Sequence, residues 1–502
     1  MATLPAVPVD PRTPVIVGVG QTLRRPDDPA TATEPVAMMV EALERAGADA
    51  AAARPLLRAA DSVRVPAVLS WRYSDPGRLV AERVGASPRE TIVTTTGGNS
   101  PQMLVNHTAA AIQRGEIGIA LVAGAEAMYT RFRARKAKVW LDWQPQADAE
   151  PSLVLGDDRP GTSDAEMSRA VALPIQIYPV FENALRATAG ESIDEHQAKV
   201  AALWSRFSAV AADNPHAWSR EQKTAADIGA VTADNRMIGF PYTKAMNANL
   251  DTDQAAALIM CSVEAARGAG VPEDRWVFPW AGADAHDHWF VSERADLRSS
   301  PAIRAIGRAA FDLAGVGPGD VAHVDLYSCF PSAVQIGAAE LGLGLGEPDR
   351  PVTVTGGLSF AGGPGNDYST HAIATMVDVL RADPGSKGLV TALGWYLTKH
   401  AIGIYSTDPP PGGFRHTRPQ EEVDGLPRRE AAVDHDGPVT IDSYTVMHER
   451  DGSPVLGLIA CLLPDGRRTW ANTHEPGMLK AMTLEEFCGR PAVMRSGGGI
   501  EV

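Results

Sequence analysis

The sequence predicts an α/β protein built from two similar layered halves, followed by a small antiparallel β domain. Three observations carry this. IVTTTGGNSPQMLVNHTAAAIQRGEIGIALVAG (Ile92–Gly124) reads as buried strand, glycine turn, helix and buried strand. VTVTGGLSFAGGPGNDYSTHAIATMVDVLRADPGSKGLVTALGW (Val352–Trp395) repeats that order, which suggests an internal duplication. Past Pro409 the pattern changes to alternating β-rich runs broken by Asp-Gly pairs. Strands alternating with helices favour α/β layers with mostly parallel sheets.

The elements follow in order. Pro14–Thr22 is a buried strand entering a glycine turn; Gly18 and Gly20 begin a dinucleotide-like pattern, but Arg24 and Arg25 follow, so the pair marks a tight turn. Helical period covers Pro35–Ala46 with Gly47 as its stop, then a strand over Asp61–Val68 and a short helix over Gly77–Val84. In the first repeated unit the strand is Ile92–Thr96 and the turn is Gly97-Gly98-Asn99-Ser100. Ser100 stands where an N-cap belongs and Pro101 at the first helical position. Met103, Leu104, Ala111 and Ile112 supply the apolar face, Gly115 the stop, and Ile117–Ala123 the second strand. A strand ending in a small-residue turn at a helix N-terminus is where α/β enzymes keep a nucleophile or bind an anion. This turn holds no thiol.

From Arg131 to Ile238 the character shifts to an inserted subdomain of helices and loops, with helices over Met167–Leu185 and Ile193–Asp213. Its opening, RFRARKAKVWLDW, reads as a solvated basic helix face, with phosphate contact as the alternative. A polar, Pro-rich stretch follows it. The sheet pattern returns in Pro241–Gly270, with a buried strand at Ala255–Cys261 and a helix starting over Val263–Arg267. Trp280–Phe290 places His286 and His288 beside Asp284 and Asp287; with no third ligand at zinc-like spacing, it reads as a polar loop and no metal site is predicted. Helical period over Pro301–Leu313 leads to His323–Leu343, a strand running into a helix. DPPPGGFRHTRPQEE is a linker by composition. Residues about 415–502 read as an antiparallel, barrel-like domain with hairpins at Asp451-Gly452 and Asp465-Gly466.

Composition narrows the function. The chain has 502 residues, 44% hydrophobic and 21% charged, enough for several cores. A net charge of −15 gives no reason to expect nucleic acid or an anionic membrane as partner. No run approaches a membrane span, and the first residues lack a secretory pattern. Four widely spaced cysteines form no CxxC pair and no disulfide framework, so a cytoplasmic location is expected.

Four segments in order resemble the thiolase (acetyl-CoA acetyltransferase) family, nearest its sterol-carrier-protein branch, over roughly residues 12–408. NHTAAAIQRGEIGIALVAGAEAMYT is similar to the stretch after the thiolase nucleophile. PYTKAMNANLDTDQAAALIMCSVEAA resembles the segment ending in sDGAaAvvl. HVDLYSCF stands at the NEAF or HDCF motif, and VTVTGGLSFAGGPG at VNxxGGaiaxGHPxG. The resemblance implies a five-layer αβαβα arrangement of two halves, with a loop domain inserted in the first. On that basis the first half is 1–283 with the insertion at about 131–240, the second is 284–408, and the extra linker and β-rich domain is 409–502.

A thiolase needs a thiolate to take the acyl group, a histidine to hold it ionised, a second cysteine as acid/base and an oxyanion hole. By the resemblance the nucleophile's position falls on Gly98, the GHP histidine on Gly363, the Asn or His of NEAF/HDCF on Tyr327, and the second cysteine near Leu393. The nucleophile, the histidine and the second cysteine are all replaced. Cys329 matches a cysteine already in HDCF and reads as a packed core thiol; His371 and His107 lie inside helices and read as structural. Tyr327 is the candidate catalytic residue, since a phenol can exchange a proton. Gly98, Asn99, Ser100, Phe330, Gly362, Gly363 and Asn366 are the candidate substrate-binding residues.

The implied function is CoA-thioester binding in lipid or sterol metabolism without ordinary thiolase activity and without a cofactor. Thiolase-fold aldolases of steroid side-chain breakdown pair with β-barrel partners, so cleavage of a β-hydroxyacyl-CoA is one alternative. A non-catalytic scaffold subunit that recruits a metabolic protein through the β domain is another. Thiolases of the family associate near the nucleophile strand; that region is altered here, leaving both monomer and dimer open.

Overall fold

The computed structural model describes residues 9–143, 146, 149–346 and 350–502. Residues 1–8 of the chain start, where a secretory pattern would begin, lie outside the described residues, as do positions 144, 145, 147 and 148 of the Pro-rich stretch.

The first half contains β1 (Pro14–Leu23), α1 (Pro35–Asp49), β2 (Ser62–Val65), α2 (Pro76–Val84), β3 (Glu90–Thr94), α3 (Ser100–Gln113), β4 (Ile119–Ala127), α4 (Met128–Ala137) and β5 (Leu153–Leu155). The insertion adds α5 (Asp164–Met167), α6 (Pro174–Ala189), α7 (Ile193–Asp213), α8 (Ala225–Gly229), β6 (Met237–Gly239) and β7 (Tyr242–Thr243). The chain then returns through β8 (Asp253–Ser262) and α9 (Val263–Ala269). The second half contains β9 (Phe278–His286), α10 (Pro301–Ala314), β10 (His323–Asp325), α11 (Pro331–Leu341), α12 (Gly357–Phe360), α13 (Tyr368–Ala382), β11 (Gly388–Gly394), β12 (Lys399–Ser406), β13 (Arg415–Thr417) and α14 (Gln420–Asp424). The tail contains β14 (Gly437–His448), β15 (Pro454–Leu462), β16 (Arg468–Thr473), α15 (Pro476–Met482), β17 (Pro491–Met494) and β18 (Ile500–Glu501).

The first sheet has strand order β1-β8-β4-β2-β3-β5 and the second β10-β11-β12-β9-β13. Between them lie α3 and α13, which pack on each other and on strands of both sheets. The outer face of the first sheet carries α1 and α2, and that of the second α10, giving the five layers. A strand covered on both faces carries a continuous apolar run instead of alternation, and β8, DQAAALIMCS, is buried at every position. The middle helix α3 is closed in on nearly all sides, so its polar residues need internal partners. Gln102 accepts from the Tyr405 hydroxyl at 2.7 Å, and Asn106 donates to Asp284 at 3.2 Å.

Several expected elements differ, each for a local reason. Val352–Thr355 is not a strand: the Asp325 carboxylate accepts from the amides of Val354 and Thr355 at 3.0 and 3.2 Å, so those donors are not offered to a sheet. Gly47 stays within α1, and the chain turns away at Ala51, whose φ is +48°. The helix expected from Met167 begins at Pro174, because Leu173 before the proline is held extended. Ser100 is the first residue of α3 and not its cap; its hydroxyl donates back to the Thr95 carbonyl at 3.1 Å. Asp284 and His286 lie on β9 instead of in a loop. Arg415–Thr417, expected in the tail, pairs with β9 and extends the second sheet. Among the described residues, no group of three or more His, Cys, Asp and Glu side chains suits a metal.

The tail sheet follows the order β16-β15-β14-β17-β18, with β6 of the insertion added beside β14. Both Asp-Gly pairs sit in its hairpin turns, and the Asn472 amide reaches the Gly498 carbonyl at 2.8 Å, bringing the sheet's two ends together. The tail is seated by Arg468, which is fully buried. It pairs with Asp442 at 2.7 Å and donates to the Arg294 carbonyl at 2.6 Å, while Trp470 donates to Ser292 at 2.9 Å. No helix among the described residues is long and apolar enough to cross a membrane.

Candidate functional site

The turn after β3 is held by the matching turn of the second half. The Gly97 amide donates to Asn366 Oδ1 at 2.9 Å, and Asn366 Nδ2 donates to the Ala67 carbonyl at 2.7 Å. Ser369 donates to the Gly98 carbonyl at 3.3 Å. Gly98 meets Tyr327 and Leu393 here: a Cβ added at Gly98 would lie 2.5 Å from the Leu393 carbonyl oxygen, 2.7 Å from Tyr327 Cζ and closer still to the phenol oxygen. Three of the four positions assigned by resemblance therefore converge.

The remaining candidates spread outward. Gly362 has φ +108°, and a Cβ there would lie 2.9 Å from Gln254 Cδ, so the turn admits no side chain. The Gly363 amide is spent on the Asn249 carbonyl at 2.8 Å. Phe330 belongs to an aromatic stack, 4.5 Å from Tyr178 and 5.7 Å from Tyr242 between centroids. Asn99 is buried, and its Oδ1 has no hydrogen-bond partner among the described residues.

The space at this convergence is small. The cavity touching Tyr327, Leu393 and Ile402 measures about 20 Å³, and the one beside Gly362 and His371 about 10 Å³. Each is the size of a water site. Burial, with the nearby Cys329, raises the Tyr327 phenol above its ordinary range. Its hydroxyl makes no hydrogen bond among the described residues, while the ring packs edge-on against Tyr368 at 5.4 Å. Burial also pushes the Cys329 thiol up to about 12, so it stays protonated at neutral pH. His371 hydrogen-bonds Gln21 at 2.8 Å and is lowered to about 3 by burial, which leaves its ring neutral.

A larger space opens beside the same turn. A cleft of about 650 Å³ runs along Asn99, Met103 and His107 of α3, past the chain after β5, to Trp289 and Lys399. The Lys399 Nζ donates to the carbonyls of Thr96 and Asp157 at 2.5 and 3.2 Å. Sequence reasoning passed over Lys399; its one signal is a lysine-histidine pair opening the apolar run AIGIY.

Comparison with known proteins places this geometry. Residues 283–407 match the family described as thiolase C-terminal domain-like. Residues 419–498 match the thiolase-like protein type 1 additional C-terminal domain. A curated acetyl-CoA acetyltransferase of Methanothermobacter thermautotrophicus is 29% identical over 150 residues, spanning 27% of this chain and only 38% of that enzyme. Two layered halves around paired glycine turns thus define a protein of the thiolase fold.

Among solved structures, a monomeric SCP2-thiolase-like protein type 1 from Mycobacterium smegmatis is 34% identical, with TM-score 0.85, covering 98% of this chain and 100% of that one. The chain belongs to this type 1 family of SCP2-thiolase-like proteins, within the thiolase superfamily. The Ltp2–ChsH2(DUF35) aldolase shares the fold at 20% identity and TM-score 0.59, over 78% of this chain and 98% of that one. Human mitochondrial 3-ketoacyl-CoA thiolase in complex with CoA shares it at 18% identity and TM-score 0.57, over 79% and 98%.

Proposed function

We propose that this protein engages CoA thioesters of lipid or sterol metabolism without transferring acyl groups at its glycine turn. The observation that carries the reading is the packing of Tyr327 against Gly98. A thiolase needs a thiolate at that position and room for a tetrahedral carbon beside it. Here the position has no side chain, a phenol fills the adjacent space, and the remaining cavity is about 20 Å³. Gly98, Asn99, Ser100, Phe330, Gly362, Gly363 and Asn366 form the proposed thioester-contacting set, with no cofactor. The Gly97 and Gly363 amides are engaged internally, and the polar atom of the first turn left open to a ligand is the acceptor Asn99 Oδ1.

The reading has the protein as a monomer, since β5 occupies the outer edge of β3, and in the cytoplasm, whose reducing conditions suit four free cysteines. Calorimetry with CoA and a series of acyl-CoAs tests it. Saturable binding with the thioester recovered intact supports the reading, and absence of binding at about millimolar ligand overturns it.

A second reading draws on Tyr327 and the docked tail. In a retro-aldol cleavage a base takes the β-hydroxyl proton, the Cα–Cβ bond breaks, and an aldehyde or ketone leaves as the thioester enolate forms, with no acyl-enzyme needed. The fold shared with the Ltp2–ChsH2(DUF35) aldolase and the fused tail domain favour it over a scaffold role. It requires turnover of a β-hydroxyacyl-CoA that falls steeply in Tyr327→Phe; equal rates in the two proteins remove Tyr327 from any such role.

A further inference from the structure

Lys399 is 6% exposed, and no carboxylate pairs with it among the described residues. Its hydrogen-bond partners are two backbone carbonyl oxygens, those of Thr96 and Asp157, which leave one ammonium N–H without a hydrogen bond, and the Trp289 and Trp395 rings lie 5.8 and 5.7 Å away without supplying a full counter-charge. An ammonium taken out of water without a counter-charge is costly. Every element around it withholds that charge. Asp157, after β5, is engaged by Arg159 at 2.7 Å, and Asp284 on β9 pairs with His416. His286, which faces Lys399 across the β9–β12 pair, contacts Arg159 at 3.2 Å. Asp158 is exposed, and α3 with its preceding residue Asn99 offers only neutral groups, the Asn99 amide and the His107 ring, whose pKa burial lowers. Burial accordingly lowers the amine to about 8, with Asp157 and Asp158 only partly compensating.

The surroundings have the size and chemistry of a ligand site. At about 650 Å³ the cleft lies within the range that holds small organic ligands, whereas the cavities at Tyr327 and Gly362 hold a water at most. Met103, Leu155 and Trp289 give it an apolar wall. Beside Lys399 the buried Asn99 Oδ1 is also unpartnered among the described residues; as an acceptor it gives an anion no bond, which leaves Lys399 as the anion's partner. The backbone there is strained: Trp395 and Leu397, in the turn joining β11 to β12, have φ of +56° and +54°. Such strain persists where the surrounding structure holds it, and it concentrates at binding sites.

We infer that this cleft binds an organic carboxylate with an apolar body, the carboxylate pairing with the Lys399 ammonium and the body lying along Met103, Leu155 and Trp289. The bound anion supplies the counter-charge that the protein withholds. The cleft shares only Asn99 with the thioester reading, and its test uses no thioester, so the two fail separately.

Calorimetry of the full chain with octanoate and with octanamide, its neutral isostere, tests the inference. Octanoate should bind one per chain, and octanamide at least about tenfold more weakly. Lys399→Met should weaken octanoate by at least about tenfold while Lys399→Arg retains binding. Octanoate failing to bind at about 10 mM, octanamide binding equally well, or Lys399→Met leaving affinity unchanged overturns it. The octanoate–octanamide comparison needs only the wild-type chain, so it decides the matter even if a variant fails to fold.

Discussion

The Tyr327 phenol stands against Gly98 so closely that a Cβ on the glycine would lie 2.7 Å from the ring's Cζ, with the Leu393 carbonyl oxygen at 2.5 Å on another side. The tyrosine ring has some freedom to yield; the carbonyl belongs to β11, paired along its length with β12. Gly98→Ala should therefore destabilise the protein by about 1–3 kcal/mol, the usual penalty for overpacking. Tyr327→Phe should change the melting temperature little, since the hydroxyl it removes has no partner among the described residues. Thermal unfolding of both variants checks this, and a Gly98→Ala protein as stable as wild type would show slack in the turn.

Two buried cations tie the tail domain to the body: Arg186, which pairs with Glu486, and Arg468. Arg468 pairs with Asp442 and donates to the carbonyls of Val291, Ser292 and Arg294. Arg468→Ala leaves Asp442 and three carbonyls short of a donor, so the loss should be about 3–5 kcal/mol. Limited proteolysis should then release the tail from the variant and not from wild type. An unchanged digestion pattern would assign the docking to Trp470 and its neighbours.

A buried histidine gives the insertion a pH dependence. His196 contacts Glu182 and Glu191 at 2.5 Å each. Burial lowers its pKa, but the two carboxylates outweigh burial and hold it above 6.5. A base whose folded pKa is raised adds stability that is complete below its unfolded value and vanishes as pH rises through the folded value. The melting-temperature gap between wild type and His196→Gln should therefore be wider at about pH 6 than at about pH 9. A gap that widens with pH contradicts this assignment.

Edge protection accounts for the expected monomer. β5 pairs in parallel with β3 through Ile92–Leu153, Val93–Val154 and Thr94–Leu155, so the outer edge of the nucleophile strand is not open. Light scattering should find one chain per particle. Replacing Leu153, Val154 and Leu155 by glycine should free the edge and promote self-association; a wild-type dimer would contradict this role for β5.

The layered halves were legible because their strands are buried on both faces, and the tail because Asp451-Gly452 and Asp465-Gly466 mark its turns. Local composition misled where a side chain claimed the backbone. Val352–Thr355 looks like a strand, yet Asp325 takes its amides. β12 escaped notice because it opens with Lys399 and His400, a charged start to a strand that lies wholly inside. At the site, periodicity located the turn at Gly98, but its meeting with Tyr327 and Leu393 came through family resemblance, since those contacts join distant stretches of chain. The cleft at Lys399 has no sequence signature, because its walls come from α3, β5, β9 and β12 and exist only once the sheets close.

With Tyr327 closing the turn at Gly98, no acyl transfer should occur there. Incubating the full chain with CoA and a panel of acyl- and 3-ketoacyl-CoA thioesters, then measuring small molecules and intact protein by mass spectrometry, tests it most directly. Every thioester should be recovered unchanged, with no acyl group on the protein. Formation of a shortened acyl-CoA, or an acyl adduct on the protein, would contradict it.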